Sequence, residues 1–278
     1  MKIGYLTMEA HDQRKLDSVG SSRIRGRWVM KYSGDIVPFV NGEHYDAVVY
    51  QKAYWKEHME AFKGPKIFDI CDPDWMDGRP VVELANLVDA FTVPTEPLAE
   101  ALRAMVKVPV VVIPDRIDPD WYPDRKMHHE GRLRTLVWYG YSTNQVVLEP
   151  VANFLKEAGY TLVVISDRPY HLADVNITYR ANTVNSEIIK YDACLLPTET
   201  ENIRFKFKSN NKTLGAWALG MPVVTGPDDL EKFETGESRQ AESDLRYGEI
   251  QTKWHVKESV KQYMELFEQI AKGKTHGA

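Results

Sequence analysis

FKSNNKTLGAWALGMPVVTG, residues 207–226, is the stretch on which the fold turns. Five polar residues, Lys208, Ser209, Asn210, Asn211 and Lys212, lead into an apolar helical run, Gly220 halts it, and PVVTG reads as a strand. A surface helix spreads its charges along one face; this one gathers them at one end. The first turn of a helix offers unpaired backbone N–H groups and the positive end of the macrodipole, and short polar side chains add hydrogen bonds there. Together with two ammonium groups this describes an anion site, most naturally for a phosphate or diphosphate.

The same alternation continues outward. Short apolar runs at 2–8, 45–51, 66–71, 90–95, 110–115, 133–140, 161–167, 191–197 and 222–226 read as strands, and nearly all end in Gly, Pro, Asp, Ser or Thr. Helices are predicted after SSRIRGRW, at 96–106 and at 146–159, and apolar residues at helical spacing predict a long terminal helix over 253–273. Strands alternating with helices predict parallel sheets, hence an α/β protein. The proline-rich, charged stretch 114–132 has no strong period and reads as a linker. The expected organisation is two Rossmann-like domains facing across a cleft, 1–118 and 133–252, joined by a linker at 119–132 and followed by a terminal helix and tail over 253–278. The charged segment 226–249 reads as a mobile surface excursion or a solvated helix.

Composition sets the bounds. A chain of 278 residues with 43% hydrophobic and 27% charged residues has an ordinary globular balance and is long enough for two cores. No run approaches the roughly 20 apolar residues of a membrane span, and MKIGYLTMEA lacks the layout of a signal peptide, so a cytoplasmic protein is expected. Cys71 and Cys194 lie in separate apolar runs, which fits reduced thiols; no metal site is expected. A net charge of −5 argues against a surface that coats nucleic acid, while leaving room for a local basic cleft.

In open α/β sheets ligands bind at the carboxyl ends of strands, so candidates are sought there. After the first strand, VGSSRIRGRW holds Ser22, Arg23, Arg25 and Arg27, suited to phosphate or acceptor recognition by guanidinium forks; solvated or salt-bridged arginines are the alternative. KIFDICDPDWMDGR clusters Asp69, Asp72, Asp74 and Asp77, with Asp72 and then Asp74 favoured to orient or deprotonate an acceptor hydroxyl. Gly140, Ser142 and Asn144 form a strand-to-helix loop that a phosphate can approach. ISDR at 165–168 is placed to flank a nucleotide, and His11 is a weaker base candidate. No complete G-x-G-x-x-G follows a strand, which disfavours a nicotinamide oxidoreductase.

The strand DACLLP, the polar loop after it and the helix ending ALGMPVVTG resemble the donor half of glycosyltransferases of the two-Rossmann GT-B fold, above all the large family-4-like group. LVWYGYSTN, SSRIRG, and PTEPLAEAL followed by VVVIPDRID resemble the same family in the same order. The resemblance implies a nucleotide-diphosphate sugar, a UDP-sugar favoured, held by Gly140, Ser142, Asn144, Lys208, Ser209, Asn210, Asn211 and Lys212. It implies no further cofactor, and transfer to an acceptor hydroxyl on a saccharide or a lipid-linked sugar; the compact size and the SSRIRGR cluster leave open a hydroxylated base in DNA. Two glutamates frequent in the family, the second bonding the ribose, are replaced here by Phe207 and Gly215, and the chain is short for the family. A non-catalytic two-lobed protein that binds a nucleotide or sugar is the competing reading.

Overall fold

Runs rich in valine and isoleucine build two sheets in a computed structural model that describes residues 1–8, 19–129, 131–198 and 201–275. The chain divides into unit 1, Met1–Asp118 with Ile203–Ser209 and His255–Ala278, and unit 2, Pro119–Asn202 with Asn210–Trp254. Unit 1 holds β1 (Ile3–Thr7), β2 (Ile36–Pro38), β3 (Ala47–Gln51), β4 (Lys66–Asp69), β5 (Ala90–Val93) and β6 (Val110–Val112), in the order β2-β1-β3-β4-β5-β6. All of these strands pair in parallel. Every residue of β1, β3 and β5 is buried, as expected where crossovers cover both faces of a sheet. The crossovers carry a π-helical turn Ser22–Arg27 that runs into α1 (Trp28–Lys31), then α2 (Lys56–Ala61), α3 (Val81–Leu84) and α4 (Glu96–Arg103). Thr95 caps α4 by accepting the Leu98 N–H at 3.4 Å, and Pro97 sits in its first turn, where a missing N–H costs nothing.

Unit 2 is built the same way from β7 (Thr135–Tyr139), α5 (Glu149–Glu157), β8 (Thr161–Ser166), β9 (Val175–Thr178), α6 (Val184–Ile188), β10 (Ala193–Leu195), α7 (Asn211–Ala218) and β11 (Val223–Val224). Its order is β11-β10-β7-β8-β9, again all parallel, so the direction of winding reverses between β7 and β10. α7 is the helix of residues 207–226: Leu214, Ala216 and Ala218 are buried, and Gly220 ends it at φ 72°. Sinking the fully buried Leu214 contributes about 2 kcal/mol. The charged segment 226–249 is helical, forming α8 (Asp228–Lys232) and most of α9 (Gly236–Gln251). Thr235 caps α9 through the Ser238 N–H, and Arg239 goes inward to the carbonyls of Phe233, Glu234 and Gly131. The last helix, α10 (Lys257–Thr275), belongs to unit 1. No helix among the described residues is long and apolar enough to cross a membrane.

Candidate functional site

The carboxyl ends of the unit 1 strands carry a polar row. Thr7, Gln51, Asp69 and Thr92 stand in register on β1, β3, β4 and β5, all buried beneath the apolar body of the sheet. Arg25 descends onto this row. Its Nε and Nη2 donate to the Asp69 carboxylate at 2.6–3.1 Å, and its Nη1 donates to Asp115 at 2.8 Å and to the Ile113 carbonyl at 2.9 Å. Thr92 and Tyr263 of α10 complete the Asp69 shell at 2.6 and 2.9 Å. With 3% exposure and three nitrogens committed, Arg25, read from sequence as a phosphate or acceptor contact, sits as an internal counter-ion to Asp69 and Asp115. Ser22 is also buried and reaches Gln51 at 3.5 Å. The physical reason is the π-helical turn, whose wider winding carries residues 22 and 25 inward while Arg27 stays exposed and Arg23 lies half-buried, 5.7 Å from the Trp28 ring. His11 lies outside the described residues.

Above the polar row, charges alternate. The Lys52 ammonium sits 2.9 Å from both Asp72 and Asp74, Asp74 accepts the Tyr54 hydroxyl at 2.6 Å, and Lys208 approaches the other oxygen of Asp72 at 3.3 Å. Burial works to raise the Asp72 carboxyl, but Lys52 and then Lys208 outweigh it and hold its pKa at about 2. A carboxylate held that low is a weak proton acceptor. Asp74 is buried and fully partnered. The segment bearing Lys208 is fastened to the same unit at several points: Arg204 grips Asp77 at 2.7 and 3.0 Å, Thr95 donates to the Phe207 carbonyl, and Ser209 donates to Asp115 at 2.5 Å. Lys208 and Ser209 are thus occupied by carboxylates of unit 1, while Asn210, Asn211 and Lys212 begin the helix in unit 2. Asn210 takes the N-cap position without a side-chain cap bond, so Ser209 and Asn210 do not cap α7 as a polar turn implies.

Unit 2 brings Gly140 and Lys212 together. A Cβ at position 140 would stand 3.0 Å from the Lys212 ammonium and 3.0 Å from the Trp138 ring, so the missing side chain gives the lysine room at the end of β7. Tyr139 donates to the Lys212 carbonyl at 2.6 Å and pins the first turn of α7 to the same strand. Gly215, one turn on, leaves room for two hydroxyls: a Cβ there would meet Tyr122 at 3.1 Å and Tyr139 at 3.4 Å. Ser142 gives both its N–H and its hydroxyl to Asp167, at 2.6 and 3.0 Å, and the bond from that N–H is the main reason the Asp167 carboxyl titrates below its usual range. Asn144 lies in the 3₁₀ turn Ser142–Leu148 that leads into α5. Gly140 N–H bonds the carbonyl of Ile165, and Ile165 is part of the floor of a cavity of about 430 Å³ at the carboxyl ends of β8 and β9. Thr178, Arg180, Thr183 and Glu187 supply its polar wall.

Lys52, Tyr54, Asp115 and Arg180 are absent from the candidates drawn from sequence. Lys52 immediately follows one predicted strand and Asp115 is the last residue of another, so the strand-end rule applied to residues 52 and 115 would have found them. Nothing in sequence marks Arg180, because β9 has no apolar run.

No protein-family model and no curated protein matches the chain by sequence. Solved structures do match in shape. An α-glucosyltransferase in complex with UDP-glucose and DNA containing an abasic site superposes with a TM-score of 0.70 at 11% identity, over 96% of this chain and 99% of that one. The α-glucosyltransferase AGT in complex with UDP gives 0.70 at 10%, over 96% and 100%. A variant of TarM from S. aureus, in complex with fondaparinux, α-GlcNAc-glycerol and UDP, gives 0.57 at 11%, and the chain spans 86% of itself but 56% of TarM. With two parallel α/β units and a long helix at the end, this chain resembles the GT-B glycosyltransferases and has their fold.

Proposed function

We propose that this protein is a glycosyltransferase that moves a sugar from a nucleotide-diphosphate sugar, UDP-sugars favoured, to an acceptor hydroxyl. The observation that carries the reading is the arrangement in unit 2, where Gly140 admits the Lys212 ammonium to the end of β7 beside a cavity of about 430 Å³. That volume suits a nucleoside, and a cation at a strand end beside a helix N-terminus suits its diphosphate. Lys212, with backbone N–H groups of α7, would stabilise the departing diphosphate as charge builds on it. We assign donor binding to residues 133–252 and acceptor binding to 1–118, with 119–132 as the linker between them. Asp72 and Asp74 orient the acceptor hydroxyl, and Arg23 and Arg27 remain candidates for acceptor or phosphate contact. The donor is the co-substrate and no other cofactor is invoked; the reaction is placed in the cytoplasm.

The acceptor is a saccharide, a lipid-linked sugar or a hydroxylated base in DNA. Support for DNA comes from the solved α-glucosyltransferase complex that contains it. Melting-temperature screening against nucleotide sugars, followed by transfer from the radiolabelled donor that shifts it, tests the reading; a ligand raises the melting temperature by mass action. Stabilisation by one nucleotide sugar and label transfer to an acceptor are expected, and no shift with any nucleotide would refute the proposal. Transfer to DNA should weaken steeply with salt, whereas salt-insensitive transfer to small sugars rules DNA out. One observation favours the non-catalytic alternative: Asp72 and Asp74 are both locked to Lys52. Tight nucleotide binding without transfer to any acceptor would select it.

A further inference from the structure

The carboxyl edge of the unit 2 sheet carries three features in the order β7, β8, β9. After β7, Gly140 gives room to the Lys212 ammonium. At β9 opens the cavity of about 430 Å³, with Thr178, Arg180 and Thr183 in its wall. Between them, directly after β8, stands Asp167. Neighbouring strands lie about 4.8 Å apart, so a cation, a carboxylate and a cavity follow one another in short steps along one edge. A nucleotide has the same order of parts: phosphate, sugar, base. α7 offers the sugar no carboxylate, since its residues read NKTLGAWA.

Asp167 is exposed, yet its orientation is fixed. Its Oδ1 accepts the Ser142 N–H at 2.6 Å and the Ser166 hydroxyl at 3.2 Å, and its Oδ2 accepts the Ser142 hydroxyl at 3.0 Å. Gln145 ties the same two loops again, donating to the Arg168 carbonyl at 2.8 Å. The rings of Tyr141, after β7, and Tyr179, after β9, come within 6.4 Å of each other across the end of the strand between them. Each carboxylate oxygen has two lone pairs, so Oδ2 keeps acceptor capacity, and so does the Ser142 hydroxyl oxygen. Two adjacent acceptors on one rigid loop pair match two adjacent hydroxyl donors.

We propose that Asp167 and Ser142 receive the ribose cis-diol of the nucleotide, Asp167 Oδ2 accepting one hydroxyl and Ser142 Oγ the other. The diphosphate then lies at Gly140 and Lys212, and the base enters the cavity. The inference rests on the reading of unit 2 as the nucleotide site and adds to it a selection for ribonucleotides over deoxynucleotides.

The test is titration calorimetry on the full chain with UDP and with 2′,3′-dideoxy-UDP. Wild-type protein should prefer UDP by about tenfold or more, the worth of a hydrogen bond to a charged acceptor. Asp167→Asn keeps one oxygen for the Ser142 N–H and turns the other atom into a donor. UDP should therefore weaken by about tenfold in this variant, while dideoxy-UDP changes by less than about twofold. Equal weakening of both ligands shows that Asp167 only holds the loop, and overturns the proposal. Equal binding of both ligands by wild-type protein overturns it without any variant and leaves the donor reading standing. Wild-type protein that binds neither overturns the donor reading and this inference with it.

Discussion

Replacing Arg25 with methionine separates an internal counter-ion from a ligand contact. Methionine keeps most of the stem's packing and removes the guanidinium, which makes three contacts to Asp69, one to Asp115 and one to the Ile113 carbonyl. Two carboxylates are left behind, Asp69 with 0% exposure and Asp115 with 5%. Asp69 retains hydroxyls from Thr92 and Tyr263, and Asp115 retains that of Ser209, so each is solvated in part but carries no opposite charge. Breaking a buried pair by deleting one partner costs about 3–5 kcal/mol. At roughly 2–4 °C per kcal/mol for a body of this size, the melting temperature should fall by about 6–20 °C. Urea unfolding followed by circular dichroism measures the loss, and calorimetry with UDP measures binding under folded conditions. Arg25→Met combined with Asp69→Asn and Asp115→Asn should recover much of the stability, because no uncompensated charge remains. A loss below about 1 kcal/mol, accompanied by a large drop in nucleotide or acceptor affinity, would show that Arg25 faces a ligand after all and refute the assignment.

Gly140→Ala should weaken UDP by about tenfold, the worth of one ammonium-to-phosphate hydrogen bond, and should also lower the melting temperature, because residue 140 stands at φ 158°, a conformation that side-chain-bearing residues rarely adopt; calorimetry on the folded variant checks it. Gly215→Glu, which restores the glutamate common in the family, should destabilise unit 2 by about 1–3 kcal/mol and bring no gain in nucleotide affinity, because Tyr122 and Tyr139 already fill the space. His128 donates from Nε2 to the Gly220 carbonyl, and burial pushes its pKa down to about 4. The unfolded chain takes up that proton near pH 6.5, so the contribution is complete above about 6.5 and is lost toward pH 4 at about 1.4 kcal/mol per pH unit. Urea midpoints across this window should flatten in His128→Gln. An Asp72 carboxyl with a pKa of about 2 should give no acid limb to kcat/KM above about pH 4; a limb near pH 6 that Asp72→Asn abolishes would contradict the ion pairing.

The fold was legible where strands are buried on both faces, because such strands must be continuous apolar runs. All nine predicted strands are present; 45–51 is trimmed at its amino end, and the other eight are shortened at their carboxyl ends, where residues such as Pro94, Asp115, Gly140 and Asp167 leave the ladder to form loops. The two unread strands lack that signature. β2 is three residues ending in proline, and β9, VNIT, is an edge strand with three of its four residues exposed, so neither offers an apolar run. The charged segment 226–249 was ambiguous for the opposite reason. Its longer helix shows no strong apolar stripe and is held instead by the local Thr235 cap and by the inward Arg239, which reaches the nearby carbonyls of Phe233 and Glu234 and the distant one of Gly131.

The site was legible one residue at a time but not as a partnership. Residues 208–212 are consecutive and polar, and locality alone makes them one turn around one anion. The chain does something that local spacing does not encode: between Ser209 and Asn210 it passes from one unit to the other, and Lys208 and Ser209 find carboxylates more than ninety positions away, on Asp72 and Asp115. A residue's charge is written in the sequence; its counter-ion is a property of topology. The arginines at 23, 25 and 27 show the same limit, since alternate spacing says that they diverge but only the polar row across four parallel strands says that Arg25 is the one drawn inside. The polar run at residues 208–212 is therefore divided: Lys208 and Ser209 pair with carboxylates of unit 1, while Asn210, Asn211 and Lys212 open α7 in unit 2, where Lys212 meets Gly140.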